Sequence, residues 1–411
     1  MTNYELSILI PARNEEFIGV TIKNILENIE DDTEVITVLD GYTVPIPEIP
    51  DDPRVKVIKL DKSIGQRAAT NLACKSSEAK YVMKADAHLA YSKGFDRILM
   101  EDMQDDWTVL PLMRNLHAFD WVCPDGHKRY QGPEGVCTEC GKETHKEIVW
   151  IGKNSPQSTA YRFDKDMHFQ YWREFQKQQK GDLVETMTIP GSCFMLTRDK
   201  YWELDICEEN YGSWGQQGVE VSCKTWLSGG KMITNKKCWY AHMFRTQPGF
   251  SFPYPQSGSG QQRARNLTKE IFMNDKWPKA IHKFQWLIDK FAPVPGWDSA
   301  PSKGILYYTD NQLDDNIANA VRKKLMAVES STLPIVSVSL KPIEFGQNIA
   351  LPLERGYITV TKQIIAGLEL LDTDIVFMAE HDVLYPKEHF DFTPSRKDVY
   401  YYNTNSWFLR A

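Results

Sequence analysis

Asp86-Ala87-His88 closes the apolar run YVMKADAH, and His242 closes a second apolar run about 150 residues later. Residues two apart on an extended chain point to the same side, so the Asp86 carboxylate and the His88 imidazole should lie together. That mixed oxygen and nitrogen pair suits a divalent cation such as manganese, and His242 offers another imidazole. A cation held at the carboxyl end of an α/β sheet can neutralise a departing diphosphate.

A second set is Cys123, His127, Cys137 and Cys140. The Cys137–Cys140 spacing with a following glycine is that of a zinc knuckle, and Cys₃His suits tetrahedral structural Zn2+. His145 is a spare imidazole that could replace His127. The polar stretch 118–148 that holds the set is too small to bury its own core, so a metal would hold it together. The other five of the eight cysteines, Cys74, Cys193, Cys207, Cys223 and Cys238, read as small buried residues.

Further residues stand where a nucleotide could be met. Pro11, Arg13 and Glu15 follow the strand SILIPA, and Asp40 ends the strand EVITVLD. Carboxyl ends of adjacent parallel strands form the crevice of nucleotide-binding sheets. Asp40 could there accept hydrogen bonds from a ribose or a base; it could equally cap its own turn. Gly65-Gln66-Arg67 opens a helix and could present backbone N–H groups and a guanidinium to an anion.

The elements that must position these residues alternate. Residues 5–115 read as strand, helix, strand, strand, helix, strand, with WTVLPLM as a further strand, which predicts a parallel α/β sheet. The order resumes near Ser158 with a strand over Gly191–Leu196, a helix over Val219–Leu227 and a strand near Met232–Thr234. Residues 246–262, rich in Pro, Gly, Ser and Gln, read as a loop, followed by a helical tail over Gln262–Phe291. The expected organisation is a domain over 1–295 with 118–148 inserted, a linker over 296–304 and a smaller α/β unit over 305–411. That last unit repeats the strand and helix order and ends at Glu380-His381-Asp382.

The 411 residues can build two domains, and 42% hydrophobic content argues against disorder. A net charge of −7 argues against a broad nucleic-acid footprint, although Lys128, Arg129, Lys142 and Lys146 could line a local phosphate groove. No membrane span or signal peptide is recognisable, so a cytoplasmic location is expected.

Six ordered segments resemble one family. SILIPARNEE, KADAH, IPGSCFMLTRDKYWEL, WGQQGVEVSCKTWLSGG, CWYAHMFRTQPGFSFP and RARNLTKEIFMNDKW are similar to segments of GT-A fold glycosyltransferases of the family 2 superfamily. Residues 5–275 look most like the catalytic domain of polypeptide N-acetylgalactosaminyltransferases. The resemblance implies a Rossmann-like nucleotide-diphospho-sugar transferase fold and transfer of a hexose or N-acetylhexosamine from a UDP-sugar to a hydroxyl. It implies Mn2+ (or Mg2+) on Asp86, His88 and His242, nucleoside contact by Asp40, a pocket lined by Trp214, and a lid over 246–253 closing with Arg245. The family's Gly-Gly-Glu-Asn stands here as Gly215-Gln216-Gln217-Gly218, so a carboxylate becomes the neutral Gln217, while Glu220 keeps the later acid. Retention is expected from the resemblance; inversion with Glu220 as base is the alternative. The expected acceptor is a polypeptide, a glycan or a modified DNA base. A catalytically inactive binding module of the same fold is the reading from another class. The family's lectin domain and membrane anchor have no counterpart in the resemblance, so secretory peptide glycosylation is not expected to carry over.

Overall fold

The structure, a computed structural model, describes residues 4–247, 250, 252–297, 301–327, 333–386, 388–394 and 399–404. The chain divides into two compact units, Met1–Ser299 and Ala300–Ala411.

The first unit is built on β1 (Leu6–Ala12), α1 (Ile18–Asn28), β2 (Thr33–Asp40), β3 (Val55–Leu60), α2 (Gln66–Lys75) and β4 (Tyr81–Ala85). β1 is buried throughout and β2 nearly so, as continuous apolar strands covered on both faces must be. β3 is the edge, and Lys56 and Lys59 keep it from pairing further. α1 buries Ile18, Ile22 and Ile25, one stripe at helical spacing.

After β5 (Leu89–Tyr91) and α3 (Phe95–Glu101) comes the long strand β6 (Trp107–Val122), then β7 (Lys128–Tyr130) and β8 (His145–Ser158). β9 (Cys193–Thr197), α4 (Gln217–Leu227), β10 (Lys231–His242) and α5 (Gly258–Thr268) complete the elements that matter here. The main path of the sheet runs β3-β2-β1-β4-β9-β6-β10 and ends on the short strand Leu183–Glu185.

β1 to β4 are mutually parallel, as expected, but β9 runs antiparallel to β4 and to β6, so the sheet is mixed. The reason lies in the connection: the chain returns from residue 192 at the end of β4, where Asp86 N donates to Ser192 O at 2.9 Å. The boundaries of the polar stretch also differ. Residues 118–122 continue β6 and 145–148 begin β8, paired from Phe119↔Ile148 to Val122↔His145. Leu116, Ala118, Phe119 and Trp121 are buried, so apolar packing extends the hairpin and leaves 123–144 as its tip. The helical tail is split: α5 runs into a wider turn over Lys269–Met273, and a separate helix spans Phe284–Lys290. Pro278, which has no N–H to continue a helix, lies in the gap.

The second unit is a four-stranded parallel sheet in the order Gln347–Ala350, Ile335–Ser339, Lys303–Thr309, Ile375–Glu380. Helices Asp315–Ala327 and Tyr357–Leu370 connect its strands. Of the expected helix over Leu313–Val328, Val328 lies outside the described residues, as do residues 298–300 of the expected linker. No described helix is long and apolar enough to cross a membrane.

Candidate active site

The ends of β1 and β4 and the end of β10 meet at one open cleft. Asp86, His88 and His242 all line it, and a ligand atom from each lies within 4.8 Å of the others. β4 stops at Ala85, so Asp86 and His88 project from a bend and not from strand alternation. β10 brings the third residue: His242 pairs with Leu89, and Met243 N donates to His88 O at 3.3 Å.

His242 Nε2 lies 3.4 Å from Asp86 Oδ2, and the two imidazole rings meet at 4.8 Å between centroids. Adjacent ligands of an octahedral cation at ~2.1 Å sit about 3 Å apart, close to the 3.4 Å between Asp86 and His242. Burial pushes the His242 imidazolium down to about 4, keeping the ring neutral with a lone pair to offer. Burial alone would raise the Asp86 carboxyl, but Lys84 and the two histidines hold it well below the usual range. The carboxylate is thus ionised and the His242 ring neutral, which fits a divalent cation with mixed ligands.

Glu15 orients the set. Its Oε2 is 3.0 Å from His88 Nδ1, leaving His88 Nε2 for a metal, the arrangement in which a carboxylate fixes a ligating imidazole. Arg245 donates to both Glu15 oxygens at 2.9 Å, so its guanidinium is bound to that carboxylate. Pro11, Arg13 and Trp214 also line the cleft, with Phe252, Pro253, Tyr254 and Gln256 on the following loop. Arg13 Nε is buried without a partner, a free donor beside the cleft. Of the expected lid, 248, 249 and 251 lie outside the described residues.

Five sequence assignments move elsewhere. Asp40 is fully buried and does not line the cleft. Its oxygens accept from Ser63 Oγ (2.8 Å), Ile64 N (2.6 Å) and Gly65 N (3.0 Å), so it organises the loop into α2 and occupies the Gly65 donor as well. Arg67 is 1% exposed and pairs with Glu220, with a second donation to Gly215 O at 2.7 Å. Glu220 is itself fully buried and also accepts from Lys224 at 2.9 Å. Desolvation would raise its carboxyl, yet the two cations hold it below the ordinary range. Glu220 therefore braces α4 against α2. Gln217 donates to Cys207 Sγ at 2.9 Å, away from the cleft lining. The adjacent Gly218 is required by packing, since a Cβ there would sit 2.0 Å from Ile189 O.

One residue the motif reading passed over is Lys84. It is 1% exposed, and its ammonium pairs with Asp86 Oδ1 and donates to Gly191 O at 2.7 Å. Asp86 thereby has one oxygen fixed by a buried cation and the other facing His242. The signal was in KADAH itself: a lysine in a wholly buried strand needs an acid, and the acid is two residues on.

At the hairpin tip, Cys123 Sγ and Cys137 Sγ lie 3.5 and 3.7 Å from His127 Nδ1, and Cys140 Sγ lies 3.6 Å from Cys123 Sγ. Ligands at ~2.3 Å (sulfur) and ~2.0 Å (nitrogen) around a tetrahedral ion stand about 3.5–3.8 Å apart, so these residues fit zinc. His145 is paired within β8 and is not part of the cluster. The basic residues nearby are engaged: Lys128 with Glu147, Lys142 with Asp125, Lys146 with Glu16, and Arg129 with Pro133 O. They do not form an open phosphate groove.

Residues 7–122 match the family model "Glycosyl transferase family 2". The chain is 20% identical over 279 residues to human polypeptide N-acetylgalactosaminyltransferase 13, covering 66% of this chain and 41% of that protein. It is 24% identical over 288 residues to probable N-acetylgalactosaminyltransferase 6 of Caenorhabditis elegans, covering 68% and 42%. It thus spans less than half the length of these relatives. The fold is similar to that of GalNAc-T7 crystallised with UDP, GalNAc and Mn2+, at TM-score 0.50 and 15% identity, covering 72% of this chain and 53% of that one. The first unit accordingly has a GT-A-like fold, and its residues 7–122 match the glycosyltransferase family 2 model.

Proposed function

We propose that the first unit transfers an N-acetylhexosamine or hexose from a UDP-sugar to a hydroxyl, with Asp86, His88 and His242 holding a divalent cation such as Mn2+. The observation that carries this is the convergence of those three side chains within 4.8 Å at the carboxyl ends of the sheet. The cation would supply positive charge for the leaving diphosphate. The chain's own residues supply the rest. Glu15 keeps His88 in its ligating orientation, Lys84 holds Asp86, and Trp214 with the loop residues 252–256 walls the site against water.

The stereochemical reading follows from which acids reach the cleft. Among the described lining residues the carboxylates are Glu15 and Asp86, and both are engaged. With Glu220 buried in its ion pairs, no free carboxylate is left among the described lining residues to act as base. Retention fits this: the acceptor oxygen bonds to the anomeric carbon on the face the diphosphate leaves, and the departing phosphate oxygen takes the acceptor proton. The relatives' names favour a polypeptide hydroxyl as acceptor, and the paired basic residues give no support to a DNA base. Cys123, His127, Cys137 and Cys140 hold a structural zinc in this reading.

Calorimetric titration of UDP and a panel of UDP-sugars, with Mn2+ and then with chelator, tests the assignment. Metal-dependent binding and slow UDP release are expected, both lost in Asp86→Asn. Tight binding of donor indifferent to metal and to Asp86 would overturn it. A protein that binds donors but never releases UDP to any acceptor or to water would be a binding module instead.

A further inference from the structure

The tip of the β6–β8 hairpin, which carries the Cys₃His set, is joined to the metal cleft. Around the four ligands the chain is held in short turns: Gly126 N donates to Cys123 O at 2.9 Å, Cys137 N to Lys142 O at 2.8 Å and Gly141 N to Cys137 O at 2.9 Å. Between the pair Cys123 and His127 and the pair Cys137 and Cys140, residues 131–136 have no helix or strand. Gln131 and Gly132 are nonetheless buried. Gln131 Oε1 accepts from Ala118 N at 2.7 Å, and Gly132 O accepts from Trp121 Nε1 at 3.1 Å. A cation on the four ligands closes the loop that contains both residues and so lowers the entropy cost of holding them there.

Two sets of contacts run from this hairpin to Glu15, the acid that orients His88. In the first, Gln247 Nε2 donates to Gln131 O at 3.2 Å. Gln247 stands two residues after Arg245, whose guanidinium holds both Glu15 oxygens. Phe250 adds to that side: its ring meets Phe119 of β6 edge-on at 6.2 Å and lies 4.8 Å from the Arg245 guanidinium. In the second, Lys146 stands opposite Trp121 at the base of the tip. It forms an ion pair with Glu16 and lies over the rings of Phe17, Phe119 and Trp121 at 5.6, 5.2 and 5.4 Å. Phe17 is buried and stacks on Phe119 at 5.6 Å, and its N–H donates to Glu15 Oε1 at 3.3 Å. Glu15 is thus held from both sides by residues that pack on the hairpin.

We propose that the hairpin tip positions the ligands of the cleft cation: Lys146 and Gln247 link zinc loading of Cys123, His127, Cys137 and Cys140 to Glu15, and so to the affinity of Asp86, His88 and His242 for Mn2+. The inference rests on the readings of both metal sites given above. Lys146 and Gln247 are positioning residues; each acts through Glu15, which leaves His88 Nε2 for the ion. Loss of a supporting partner of a ligand weakens metal binding by 10–100-fold. With Arg245 and His88 still on Glu15, the zinc-free protein should lose about tenfold, the low end of that range. Coupling between two ligands is reciprocal, so Mn2+ should tighten zinc by the same factor.

Mn2+ titration of the full chain without nucleotide tests this, on zinc-loaded protein and on Cys137→Ser with Cys140→Ser, with metal analysis and a melting curve for each. Mn2+ binding about tenfold weaker is expected in the zinc-free variant. Lys146→Met with Gln247→Leu should keep the zinc and show a similar loss. All four substitutions together should then cost no more than either pair alone, as for two changes on one path. Equal Mn2+ affinity with and without zinc, or losses that multiply in the combined variant, overturns the inference and leaves both metal sites standing. Should the serine variant fail to fold, the Lys146, Gln247 variant decides: full zinc with unchanged Mn2+ affinity overturns the inference. Wild-type protein without zinc overturns the zinc reading, and zinc-loaded protein that binds no Mn2+ overturns the cleft-cation reading; either takes this inference with it.

Discussion

Replacing Glu220 by glutamine separates a structural from a catalytic role for the acid that the motif reading singled out. The side chains of Glu220, Arg67 and Lys224 are 0%, 1% and 0% exposed. The amide would keep the shape and lose the charge, leaving a guanidinium unpaired and Lys224 with Glu208 at 3.1 Å and Asp205 O. Breaking one partner out of a buried ion pair costs roughly 3–5 kcal/mol. For a unit of 299 residues that lowers its melting temperature by about 5–8 °C. The pH dependence has a definite sign. The Glu220 carboxyl is held below its ordinary 4.5 in the fold, so its contribution is full above that value and is lost as pH falls through the folded pKa. The deficit of E220Q should be complete at neutral pH and shrink in acid. Thermal unfolding from acid to neutral pH measures it, alongside turnover at a temperature where both proteins are folded. Turnover should fall less than about threefold. If E220Q melts like wild type while turnover drops by the 10²–10⁴ typical of a lost general base, the structural assignment is refuted.

Three other outcomes follow from the same geometry. Lys84→Met removes the ammonium beside Asp86; its loss of melting temperature should be larger in chelator than in saturating Mn2+, because a bound cation replaces the missing charge, and equal losses in both would contradict that. Glu15→Gln frees the His88 ring and should weaken Mn2+ binding about 10–100-fold, measured by titration in the absence of nucleotide. Cys137→Ser and His127→Ala should each abolish a tightly bound zinc found by metal analysis and speed hydrogen exchange over 123–144, whereas His145→Ala should retain the metal; zinc loss only in the His145 variant would show that the ligand set is misassigned.

What the linear order of residues determined was local or motif-borne. The alternating elements of residues 5–115, the Cys₃His spacing and the Asp-x-His strand end were all legible, because periodicity and ligand spacing are local properties. So was the alternation of strand and helix in the second unit. The tertiary structure decided which polar residues meet one another. Arg67 and Glu220, 153 residues apart, satisfy each other inside the core and leave the cleft to Glu15, Asp86 and two imidazoles. Asp40 turned inward to three donors of its own loop. Lys84 acquired its meaning only when β9 brought Gly191 O beside it. A charged side chain in a strand or helix carries no local sign of whether it faces substrate or a buried counter-charge. That choice is made by desolvation, which compels every interior charge to find a partner, and the partner comes from a distant part of the chain.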